Sequence, residues 1–154
     1  MTADNQTPTP SLGPVTYKFQ KLEIYQLAPQ YIDLMYSLAQ KLPRSEDFNL
    51  KSQLTRAATS IALNIAEGST SQSDAEQSRF LGMALRSLIE TVACQDIILQ
   101  RRYVKVEDLP EARELGAKLF AKTQAMRRAL GQSAVSGARS SVSGRPSPVS
   151  RLND

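Results

Sequence analysis

The chain has 154 residues, with one cysteine, no histidine and no tryptophan, and a net charge of +4. A Ser-His-Asp triad, a His-ligated zinc site, a disulfide framework and a thiolate metal cluster are therefore excluded within one chain, and no cofactor or metal is expected. The length suits one domain with a real core, and the lone Cys94 suits a reducing, cytoplasmic setting.

The N-terminal stretch MTADNQTPTPSLGP has neither the basic start nor the apolar run of a signal peptide, and no later apolar stretch is long enough to span a membrane. Residues 1–14 are rich in Thr, Pro and Asn and read as a loose, disordered segment. Residues 132–154 are rich in Ser, Gly, Pro and Arg, with too little apolar content to offset the entropy of ordering, and read as a disordered tail. Between them, residues 15–131 carry helical periodicity with almost no strand signal.

The first helix is expected over about Lys18 to Leu42. Its apolar stripe runs through Leu22, Tyr25, Ile32, Met35, Tyr36, Ala39 and Leu42. Pro29 predicts a kink or irregular turn, and Pro43 stops the helix. The second is expected over about Leu50 to Glu67, with Asn49 as N-cap and Gly68 as a left-handed C-cap. The third is expected over about Asp74 to Arg102, opened by a Ser73/Glu76 capping box. Phe80, Ala84, Ser87, Thr91, Cys94 and Ile98 form one of its stripes; Leu81, Leu85, Leu88, Val92 and Leu99 form another. Apolar residues on two sides predict a helix covered twice, by its own bundle and by a second subunit. The fourth is expected from near Asp108, with Pro110 in its first turn, to Leu130 before Gly131. Ala112, Leu115, Leu119, Met126 and Leu130 mark its buried face.

Long helices and short loops predict an all-α, up-down-up-down four-helix bundle. In the stretch TSIALNIAEGS, Ser60, Asn64 and Glu67 share one helical face, with Asn64 on the core stripe. The hairpin of helices two and three is expected to set Asn64 near Arg79 or Phe80, and Gln53 near Glu90. Ser60, Asn64, Glu67, Ser87 and Glu90 then form a polar seam that locks the register of the pair. Glu67 stands near a helix C-terminus, where the dipole disfavours its charge, and is expected to take Arg79 or Arg56 as partner. An acid-base site at the seam is the competing reading, and no nucleophile-base pair, phosphate loop or metal cluster accompanies it. Cys94, among apolar neighbours, reads as an inert core residue.

The segments LPRSEDFNLKSQLTRAATSIALNIAEGS and SDAEQSRFLGMALRSLIE resemble the 23S rRNA intervening-sequence protein family. The family's pattern falls on Leu42-Pro43, Glu46, Leu50, Gln53, Arg56-Ala57, Ser60-Ile61 and Asn64 to Gly68. It continues on Glu76, Phe80, Ala84, Ser87 and Glu90. The resemblance implies a homopentamer of four-helix protomers. It also implies kinship in fold with the accessory variability proteins of diversity-generating retroelements, which bind nucleic acid and partner with a reverse transcriptase. The Pro29 interruption and the Ser/Arg-rich tail depart from the family pattern.

Function is then expected to lie in self-assembly and in binding RNA, DNA or a nucleic-acid enzyme, not in catalysis. The first and third loops of such a bundle share one pole. Lys41, Arg44 and Lys51 meet Arg101, Arg102 and Lys105 there, tempered by Glu46, Asp47, Glu107 and Asp108. Arg101, Arg102, Lys105, Lys118, Lys122, Arg127 and Arg128 are the candidate nucleic-acid contacts, although the helix-four cations scatter around their helix. Three arginines among the tail's serines make it a further candidate contact arm. The alternative is a pure protein-interaction module whose basic charge serves solubility.

Overall fold

The computed structural model describes residues 13–140, and among these every regular element is helical. Four helices, α1 (Glu23–Gln40), α2 (Leu50–Gly68), α3 (Asp74–Gln100) and α4 (Pro110–Ser140), pack in sequence, with α4 closing the bundle against α1. Short 3-10 turns at Lys18–Lys21, Arg44–Glu46 and Val106–Asp108 lead into α1, α2 and α4. The shared core holds Tyr31, Met35, Leu54, Ile61, Ile65, Leu81, Ile98 and Leu119, all almost fully buried. No described helix is long and apolar enough to cross a membrane.

Several helix ends differ from expectation, each for a local reason. The first helix is broken: Lys18–Lys21 is a 3-10 turn, and Leu22 is extended before α1 begins. Phe19 sits edge-on to Tyr25 at 4.6 Å and stacks on Tyr17, which folds the entry segment against the start of α1. Pro29 lies inside α1 without ending it. Asn49 makes no side-chain cap; instead Glu46 Oε2 accepts from the Leu50 amide (3.4 Å) and from Asn49 Nδ2 (3.0 Å). Ser73 Oγ does accept from the Glu76 amide (3.2 Å), while the Glu76 carboxylate reaches the Gln72 amide (3.3 Å).

Gly68 is the clearest correction. It is the last residue of α2 and is not left-handed; among described glycines only Gly13 has a positive φ. A Cβ on Gly68 would stand 2.8 Å from Phe80 Cβ. Glycine is required there because α3 closes on the α2 backbone, not because the chain must turn. The left-handed C-cap belongs to Arg102, at φ 61, after α3. The Tyr103 amide bonds the Ile98 carbonyl (3.1 Å) and the Arg102 amide bonds that of Leu99 (2.9 Å), the paired bonds of a Schellman end.

The fourth helix does not stop at Gly131 but runs to Ser140, so residues 132–140, expected in the disordered tail, are helical. A helix already nucleated propagates at the cost of one residue at a time, and Ser133 and Ser136 bond back to the carbonyls of Ala129 and Gln132. Residues 1–12 and 141–154, with most of both expected disordered segments, lie outside the described residues.

Candidate functional site

The loop pole is assembled by tertiary contacts between residues far apart in sequence. Lys41 Nζ pairs with Asp108 at 3.2 Å, joining the end of α1 to the third loop. Tyr103 Oη donates to Glu46 Oε1 at 2.9 Å, so the third loop holds the carboxylate that caps α2. The Arg101 guanidinium lies 5.6 Å above the Tyr103 ring, and its Nη2 donates to the Tyr103 hydroxyl at 3.3 Å. Glu46 is buried among these donors. The Tyr103 hydroxyl first, then the Leu50 amide, Asn49 and the Arg101 charge, hold its carboxyl below the usual glutamate range, against the opposing effect of burial.

The expected cation cluster is therefore divided. Arg101 is held against Tyr103 and Glu46, Lys41 is paired with Asp108, and Lys51 is paired with Asp47. Arg44, Arg102 and Lys105 are exposed and form no direct ion pair among the described residues. The Lys105 amide bonds Asp108 (2.9 Å), and that bond, with Lys41, holds the Asp108 carboxyl below its ordinary range.

The cations of α4 are not brought together. Lys118 is exposed, Lys122 pairs with Glu23 of α1 at 2.9 Å, and Arg127 lies against Gly82 of α3. Arg128 lines a shallow surface pocket with Val135.

Of the expected polar seam, one hydrogen bond joins the two helices, one helical turn away from the expected register. Ser60 Oγ lies 2.9 Å from Ser87 Oγ, a direct bond between α2 and α3. With Gly68 abutting Phe80, Asn64 falls opposite the Met83–Ala84 turn instead of Arg79 or Phe80. The Asn64 amide donates to the Ser60 carbonyl (2.9 Å) and to Ser60 Oγ (3.0 Å), so it serves its own helix. Glu67 is exposed, with no ion pair among the described residues, and Arg79 sits over the Phe80 ring instead (5.3 Å). Gln53 and Glu90 do share a cleft of about 900 Å³ along the seam, walled by Tyr36, Phe48 and Leu63. Among the described residues neither seam hydroxyl is bonded to a carboxylate. No metal-binding group of three or more acidic or cysteine side chains occurs among the described residues.

The sequence profile of the 23S rRNA-intervening sequence protein family matches residues 20–125. The chain belongs to that family. Among solved structures, this chain resembles a protein of unknown function from the S23 ribosomal protein family of Bacteroides thetaiotaomicron VPI-5482. The two share 20% identity over 68% of this chain and 95% of that one, with a TM-score of 0.63, a likeness that shows the fold. None of the curated proteins matches the sequence. The matched region spans the seam and the loop pole, while Arg127, Arg128 and the α4 extension lie beyond it.

Within the matched region lies a second polar network, built on Tyr31, Thr91 and Gln95. Thr91 Oγ1 donates to the Leu88 carbonyl (2.6 Å), so Tyr31 Oη donates to Thr91 Oγ1 (2.7 Å) and accepts from Gln95 Nε2 (3.0 Å). These bonds cross the core diagonally from α1 to α3. Gly116 of α4 makes room for the ring, since a Cβ there would stand 3.0 Å from Tyr31 Cε2. Burial first, despite these bonds, pushes the Tyr31 hydroxyl above its usual range. A tyrosine, a threonine and a glutamine, all buried, are its sequence signal, and Thr91 lies on the third helix's Phe80–Ile98 stripe.

Proposed function

We propose that this protein is a non-enzymatic, homo-oligomeric helical scaffold that binds nucleic acid. The observation that carries the self-association is the exposed apolar wall of the seam cleft. Phe48 is fully exposed, Leu63 is 62% exposed and Tyr36 46%. Three large apolar side chains around one cleft mark an interaction surface, and burying one such side chain contributes about 1.5–3 kcal/mol. Five copies is the number that the family resemblance implies. Arg44, Arg102 and Lys105 support the nucleic-acid part: they stand at one pole without direct ion pairs, and a ring would repeat them in every protomer. A reverse transcriptase is a further partner that the kinship with retroelement accessory proteins suggests.

Sedimentation equilibrium tests the assembly. The full chain should sediment as an oligomer, and Phe48→Ser with Leu63→Ser should shift it towards the 17.0 kDa monomer. A wild-type monomer at micromolar concentration would overturn the reading. Changing Arg44, Arg102 and Lys105 to Gln should weaken RNA and DNA binding regardless of sequence, and flatten the salt dependence by about one unit per lost contact. The second reading, a protein-interaction module without nucleic-acid binding, is favoured by the engagement of Lys41, Lys51 and Arg101 within the pole. It predicts no salt-dependent RNA binding by the assembled wild type.

A further inference from the structure

A groove of about 470 Å³ runs between α3 and α4 and shares no residue with the seam cleft. Three arginines line it, Arg79, Arg86 and Arg127, and no lining residue is acidic. None of the three forms an ion pair among the described residues. Two of the guanidinium groups rest against a neighbouring side chain or backbone. Arg79 lies 5.3 Å over the Phe80 ring, and the Arg127 guanidinium lies 3.3 Å from where a Cβ on Gly82 would stand.

Apolar side chains stand between the charges. Arg79, Met83, Arg86 and Ile89 follow one another at spacings of four, three and three, which sets them along one face of α3. Met83 is 42% and Ile89 52% exposed, and Phe120 of α4 borders them. At the same groove Gln124 Oε1 is buried without a hydrogen-bond partner. That oxygen is an acceptor in need of a donor.

We infer that this groove seats an acidic amphipathic helix of a partner protein. Its carboxylates would take the three guanidinium groups, its apolar face would cover Met83 and Ile89, and a hydroxyl or amide side chain would donate to Gln124 Oε1. A phosphate backbone answers only the first of these features: it carries no apolar face for Met83 and Ile89. A groove between two helices, with charged and apolar anchors repeating each turn, is the shape a helical ligand fills. The site is separate from the surface proposed for self-association.

The test uses the full chain and a fluorescent synthetic peptide of about four helical turns, with Leu and Glu placed on one amphipathic face. The controls are a scrambled peptide of the same composition and a single-stranded oligo-dT. Fluorescence anisotropy should show saturable binding of the amphipathic peptide and binding at least about tenfold weaker for the scrambled one. Arg86→Glu and, separately, Ile89→Ser should each weaken the peptide by about tenfold or more, with circular dichroism unchanged. Any of four results overturns the inference. The peptide fails to saturate, or its affinity is untouched by Arg86→Glu. The oligo-dT, and not the peptide, is what Arg86→Glu releases, which makes the groove a nucleic-acid channel. Or Arg86→Glu sediments as a smaller species than wild type, which makes the groove the seat of a second copy.

Discussion

Tyr31 and Asn64 are both polar residues on helical core stripes, yet the structure gives them different weights. The Tyr31 hydroxyl is fully enclosed and serves both Thr91 and Gln95. Tyr31→Phe leaves the Gln95 amide facing only Met35 Sδ, at 3.5 Å, and should cost about 1–3 kcal/mol in urea unfolding. Asn64 is only half-buried and bonds its own helix, so Asn64→Leu should stay within about 0.5 kcal/mol of wild type. Overlapping melts for Tyr31→Phe and wild type would show that the diagonal network contributes nothing. Cys94 is a third case at this scale. Burial first, and then the Glu90 charge, push its thiol up, which leaves little thiolate to react. A thiol reagent should modify the folded protein far more slowly than the urea-unfolded chain.

At the scale of elements, the ends of α2 and α3 carry opposite glycine logic. Gly68 is a helical residue that must lack a side chain, and Arg102 is a left-handed residue that has one. Gly68→Ala gains about 1 kcal/mol of helix propensity, but pushes against Phe80 Cβ, which is fixed to the α3 backbone. Overpacking of this kind costs about 1–3 kcal/mol, so the variant should be less stable, with the α2–α3 hairpin the first part to lose amide protection. Arg102→Gly should instead stabilise, since a side chain in left-handed geometry costs about 1–2 kcal/mol and glycine gives back less than that in chain entropy. A lower melting temperature for Arg102→Gly would mean that the Arg102 side chain makes a stabilising contact of its own.

For the whole molecule, the loop pole ties the first loop to the third, and its carboxylates are expected to make stability fall in acid. Glu46 caps α2 while receiving the Tyr103 hydroxyl from the third loop. Its carboxyl is held below the ordinary range, so these bonds add stability where the unfolded carboxyl is ionised, and that contribution is lost as pH falls through the folded-state value. Glu46→Gln should lower the melting temperature at neutral pH and reduce the further loss on acidification. A variant whose acid profile parallels wild type would place the sensitivity at another carboxylate, with Asp108 the next to examine.

The number, type and order of the helices were determined by the sequence alone, because helical periodicity is a local property, readable within one or two turns. So was the antiparallel pairing of α2 with α3, since a short loop forces adjacent helices to be neighbours. Tertiary structure alone decided the register of that pair: the missing Cβ of Gly68 lets Phe80 close on α2, and this sets which turns meet. It also decided which cations at the pole are occupied, and that Tyr31 reaches Thr91 and Gln95. Those partners lie 57 to 67 residues apart, as with Tyr103 and Glu46, Tyr31 and Thr91, and Lys41 and Asp108. No pattern within a single helix encodes such a contact, because it depends on how four helices rotate to bury their stripes together.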